Sequence, residues 1–120
     1  MNRERVLVDT GPLVAILRSD DVNHRTCVDL SQQLPYPFLT SWAVITEAAW
    51  LLRDQPKGVA MLLTQIEVGL VTPVEIHPDA AAWLRVFLEK YRDLGAQLAD
   101  ASLCYLAEHL GISVGGLNYC

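Results

Sequence analysis

The chain has 120 residues, with 14 Asp and Glu against 9 Lys and Arg and a formal charge of −5. That length is read as a single domain over residues 1–120, able to bury roughly two-thirds of its unfolded surface, and 52% apolar against 19% charged residues excludes disorder. The acidic balance argues against holding nucleic acid by bulk positive charge, and Cys27, Cys104 and Cys120 contain no close pair, which excludes a disulfide framework or a Cys-based zinc site.

Strand and helix patterns alternate, which predicts an α/β domain with a parallel sheet. Residues 5–9 read as a short strand, and Thr10-Gly11-Pro12 as a turn with Pro12 at the first position of a helix to about Leu17. Arg3 and Arg5 before this apolar run imitate a signal peptide, but Asp9 and Pro12 interrupt it. After a polar loop, Asn23 is placed to cap a second helix that Pro35 and Pro37 stop. Phe38-Leu39-Thr40 reads as the second strand, with Ser41 capping a helix from Trp42 to about Arg53. A further helix covers about residues 58–68, and Leu70 to Val74 forms a third strand. Pro78 opens a helix to Tyr91, with Trp83, Phe87 and Tyr91 on one stripe. The last helix runs from about residue 97 to Leu110 and ends at Gly111. A fourth strand begins at Ile112 and has little chain left to complete it, so the domain reads as clipped at its C-terminus. No stretch is long and apolar enough to span a membrane, so the expected location is the cytoplasm.

Three acids stand out from the polar surface positions that hold the others. Asp9 ends the first strand, where the carboxyl edge of a parallel sheet binds ligands. Glu47 lies in the apolar helix after Ser41, and a lone buried carboxylate there requires a partner or a metal. Asp100 lies in the first turn of a helix that is apolar almost all round, and Asp93 precedes it as a weaker fourth candidate. Two carboxylates about 5 Å apart repel by roughly 3 kcal/mol at an effective dielectric of about 20. Gathering three or four therefore implies a divalent cation, and all-oxygen ligands favour Mg²⁺ or Mn²⁺ over zinc. His24, His77 and His109 are scattered and lie beside none of these acids.

Val8-Asp9-Thr10-Gly11-Pro12-Leu13-Val14-Ala15, Ser41-Trp42-Ala43-Val44-Ile45-Thr46-Glu47 and Leu98-Ala99-Asp100-Ala101-Ser102-Leu103 follow in the order of the acidic motifs of PIN-domain nucleases. The chain resembles that family from residue 5 to about 118, and in size it resembles the VapC-type toxins of toxin–antitoxin pairs. The resemblance implies a three-layer α/β/α domain around a parallel sheet of four or five short strands. It implies a metal-dependent endoribonuclease in which Asp9, Asp100 and Glu47 hold Mg²⁺ or Mn²⁺, with Asp93 lining the site. Thr10 and Ser41 would position water or phosphate. It further implies an RNA substrate, a small antitoxin protein as partner, and a homodimer to which Trp42 and Trp50 would contribute. The family's fourth acid falls where this chain has Asn118, so a catalytically impaired module that binds only RNA or the antitoxin is the second expectation. A receiver-type signalling domain is the remote third, with Asp54 as phospho-acceptor. Arg18, Arg25 and Arg53 are the expected contacts to RNA.

Overall fold

The computed structural model describes residues 5–95 and 97–112. Among the described residues, three short parallel strands form a sheet, in the order β1 (Val6–Leu7), β2 (Phe38–Thr40), β3 (Val71–Pro73). Register pairs Leu7 with Leu39 and Leu39 with Thr72. β1 is wholly apolar and buried, as expected where helices cover both faces, whereas β3 exposes Thr72. The ladder extends past β1, because the Val8 N–H donates to Leu39 O at 2.8 Å. Pro73 lacks an N–H and lies on the outer of the three strands, where that donor is dispensable.

The helices are α1 (Thr10–Leu17), α2 (His24–Ser31), α3 (Trp42–Leu51), α4 (Gly58–Glu67), α5 (Ala81–Lys90) and α6 (Leu98–Leu110). Single 3-10 turns precede α5 at Pro78–Ala80 and follow it at Arg92–Leu94. The strands run parallel, with α1 and α2 connecting β1 to β2 and α3 and α4 connecting β2 to β3, and α6 packs against both α3 and α5. Val8, Val44, Leu52, Leu62 and Leu106 are sealed in the core.

Local chemistry explains most boundaries. Ser41 Oγ accepts the Val44 N–H at 3.1 Å and starts α3. Gly111, at φ 67°, supplies the left-handed residue that ends α6. Other boundaries differ from the sequence reading. Asp9 is the N-cap of α1, so Pro12 is its third residue rather than its first. Asn23 occupies the N-cap position of α2 but makes no side-chain cap; Asp21 instead accepts the Asn23 N–H at 2.8 Å. Helix α2 stops at Ser31 and turns before reaching Pro35. Trp42 and Trp50 are 52% and 62% exposed. Cys27 is buried, whereas Cys104 is half-buried. The expected fourth strand beyond Ile112, and Asn118, lie outside the described residues. Among those residues, no helix is long and apolar enough to cross a membrane.

Candidate functional site

The carboxyl edge of the sheet meets the first turn of α6. Asp9 follows the fully buried Val8 directly, in extended backbone, and its carboxylate accepts the Thr10 N–H at 2.7 Å. That bond caps α1 and holds the carboxylate at the strand-to-helix junction. Asp100 is the third residue of α6, and its carboxylate accepts the Gln97 N–H at 2.9 Å. Its neighbours Ala99 and Ala101 are buried and small, so this turn packs tightly and presents Asp100 outward.

The two acids feel each other. Burial pushes the Asp9 carboxyl above its ordinary range, the Thr10 N–H pulls it part of the way back, and repulsion from Asp100 adds to the rise. Cys104, one turn beyond Asp100, is raised by burial first, then by Asp100 and then by Asp9. Asp9, Asp100 and Cys104 therefore belong to one neighbourhood. The spacing of four between Asp100 and Cys104 places both on the same face of α6.

A second link joins the same two regions. Ser41, at the end of β2, lies 2.6 Å from Ser102 through their hydroxyl oxygens, and both side chains are buried. Ser102 donates its own proton to Ala99 O at 2.7 Å. Ser41 must then be the donor to Ser102, while its lone pair receives the Val44 N–H. The relay ties the start of α3 to the first turn of α6, which carries Asp100. Ser102→Ala strands the Ser41 proton in a buried site and is expected to cost about 1–3 kcal/mol, measured by denaturant unfolding. A loss too small to measure would show that Ser41 finds another acceptor.

The remaining candidates stand apart from this pair. Glu47 is half-buried on α3 and has no hydrogen-bond or ion-pair partner among the described residues. Asp93 is exposed in the 3-10 turn before α6. No three His, Cys, Asp or Glu side chains among the described residues are grouped closely enough to enclose a metal ion. Thr10 is different: its Oγ1 is buried and is the one such side-chain atom, among the described residues, without a hydrogen-bond partner. An orphaned hydroxyl beside an acid pair, in an all-oxygen donor set, fits a hard cation with its shell of water.

The arginines expected at RNA are mostly engaged elsewhere. Arg18 reaches Asp20 at 2.9 Å and Asp54 at 2.8 Å, and also donates to Leu51 O. Arg53 lies over the Trp50 ring at 3.7 Å and donates to Trp50 O. Arg25 lies 3.6 Å from Asp29 and is well exposed. Asp54 ends no strand, and the Arg18 guanidinium holds its carboxyl below the usual range. The geometry of a phospho-acceptor at the carboxyl end of a strand is therefore missing.

Comparison with known proteins decides the family. The PIN domain family matches residues 6–114. This chain belongs to the PIN domain family. The receiver reading falls with that finding. The crystal structure of Mycobacterium tuberculosis VapC20, described as a sarcin–ricin loop cleaving toxin, shares the PIN fold with it. The two superpose with a TM-score of 0.77 at 21% identity, over 89% of this chain and 84% of VapC20. No curated protein sequence matches the chain.

Proposed function

We propose that this PIN domain is a divalent-metal-dependent endoribonuclease, the toxin of a VapC-type toxin–antitoxin pair. The observation that carries the reading is the placement of Asp9 at the strand-to-helix junction and of Asp100 in the first turn of α6, near enough for Asp100 to raise the Asp9 carboxyl. Two carboxylates, each fixed by a backbone N–H, make a preorganised cation site. Mg²⁺ keeps several of its waters and is commonly bound through one or two carboxylates, so a pair suffices for a first shell. Mn²⁺ suits the same donors. When bound, the metal supplies an activated water and offsets the charge that grows on the scissile phosphate.

The chain's own groups divide the remaining work. Asp9 and Asp100 hold the cation, and the helix starts that carry them resist displacement when the substrate arrives. Glu47, on α3, would orient the attacking water or a second ion. Thr10 Oγ1 positions a water or a phosphate oxygen, and Ser41 holds α3 in register with α6. Asp93 lines the approach. The partners of this reading are an RNA strand, a small antitoxin protein and a second copy of the chain, in the cytoplasm.

The direct test is thermal unfolding and RNA cleavage, each measured with EDTA and with millimolar Mg²⁺ or Mn²⁺. Cation binding to the folded form alone stabilises it by about 2.7 kcal/mol at a hundred times Kd. A rise in Tm and metal-dependent cleavage are expected together. A Tm indifferent to both metals, with no cleavage, would remove the metal site and leave a module that only binds.

A further inference from the structure

Helix α5 contains no fully buried residue, yet it carries a stripe of half-buried aromatic rings. Trp83 stacks on Phe87 with centroids 5.4 Å apart, and Phe87 meets Tyr91 at 4.7 Å. Trp83 also meets Tyr105 of α6 edge-on at 5.4 Å. Trp83 lies about two turns before the end of α5, and Tyr105 about two turns after the start of α6. The two helices therefore run antiparallel from the short connection between them. Along their seam lies a cavity of about 670 Å³, walled by Trp83, Phe87, Lys90 and Tyr91 on one side and by Cys104 and Glu108 on the other.

We propose that this groove stacks unpaired bases of the RNA strand next to the bond being cut. The inference rests on the ribonuclease reading and extends it to a substrate subsite. Aromatic faces accept any base, because every base offers a π-face, and a volume of this size accommodates a nucleotide. The polarity of the groove fixes which end takes the phosphate. Lys90 lies near the connection between the helices, close to the start of α6 where Asp100 sits, and its ammonium lies 5.3 Å from the Tyr91 ring. Glu108 lies toward the far end, where a carboxylate repels phosphate but accepts a base amino group. The wall residue Cys104 lies one turn beyond Asp100 on α6, so the groove runs along the helix that carries this acid. A base stacked against the row of Trp83, Phe87 and Tyr91 would thus hold its neighbouring phosphate toward the cation site.

The experiment measures binding of a fluorescein-labelled single-stranded oligoribonucleotide in EDTA, where the strand is not cut. Tyr91→Leu and Trp83→Leu are each expected to weaken binding about tenfold, the scale of one lost base stack. Tyr91→Phe and Trp83→Phe keep a ring and are expected to restore it; Tyr91→Leu and Tyr91→Phe serve alone if the Trp83 variants misfold. Unlabelled single strand should compete, and the same sequence as a duplex should not. With Mg²⁺ present, the leucine variants should raise KM and leave kcat within about twofold. Equal affinity in Tyr91→Leu and the parent, or no saturable binding by the parent, would overturn the groove. So would leucine variants that change only the oligomeric state in sedimentation, which would give the groove to a second copy of the chain. A parent protein that binds through these rings but cleaves nothing would instead remove the ribonuclease reading and leave the groove standing.

Discussion

Asp9→Asn is expected to lower RNA cleavage by about a thousandfold or more while making the metal-free protein more stable. The two effects share one cause. Burial and the nearby Asp100 hold the Asp9 carboxyl above its ordinary range, despite the Thr10 N–H that it accepts. The folded chain then binds that proton more tightly than the unfolded chain does. At neutral pH the ionised carboxylate is consequently a stability cost. The cost shrinks as pH falls through the raised folded-state value, and it is gone below the unfolded value near pH 4. Asparagine removes the charge and keeps the cap, because Asn and Asp are about equally good at helix N-caps. The Tm of Asp9→Asn should therefore exceed that of the parent at neutral pH in EDTA, and the gap should close on acidification. Saturating Mg²⁺ should reverse the order, since the parent alone gains binding free energy. Cleavage is lost because a removed ligand forfeits several kcal/mol of charge stabilisation in the transition state. Thermal melts over a pH series, with and without Mg²⁺, beside a cleavage assay, check all of this. Cleavage retained by a folded Asp9→Asn would take Asp9 out of the site, and a lowered metal-free Tm would refute the charge cost.

The same residues show what a sequence can disclose. Val6-Leu7-Val8 followed by Asp9 read as a strand with an acid at its end, and the protein places Asp9 at that position. Ser41 as a cap, the strand at Phe38–Thr40 and Gly111 as a helix end were all legible, because each is decided within a few residues by capping or turn chemistry. Motif order carried the family. The position of Pro12 in α1 was misjudged because Asp9 both ends the strand segment and caps the helix, leaving no turn between them.

Features decided by pairs of distant elements stayed hidden. Nothing in the local sequence assigns Arg18 to Asp54 across the chain. The Ser41–Ser102 bond joins residues 61 positions apart and is invisible to periodicity. Helix α3 buries Val44, Ile45 and Ala48 and turns the Trp42 and Trp50 indoles outward. Apolar composition on nearly every side leaves the buried face of a helix undetermined, and only packing partners settle it. The charge is recast as well. Asp9 and Asp100 are two of the 14 acids, and a bound cation would invert their local sign.

Leu106→Ala carries the largest expected loss of stability. Leu106 is 1% exposed on α6 and belongs to the same buried cluster as Val8, Leu13 and Val44. Truncation removes buried methyl groups and leaves a cavity that close-packed neighbours only partly fill, at a cost of about 2–5 kcal/mol. Domains of this size have about 5–15 kcal/mol in total, so the expected fall in Tm is about 10–20 °C. Leu106→Met conserves volume and should cost under about 1.5 kcal/mol. Denaturant melts should show a lower midpoint at unchanged m. The change should also reach the chemistry, because α6 presents Asp100 to Asp9 and Cys104 to the α5 groove. A shift of about 1 Å at a reacting group costs up to about a hundredfold in rate. Cleavage measured well below the variant's Tm should therefore drop for the molecules that remain folded. A loss under about 1 kcal/mol, or full activity per folded molecule, would show that the acid pair is set by the α1 junction alone and not by the packing of α6.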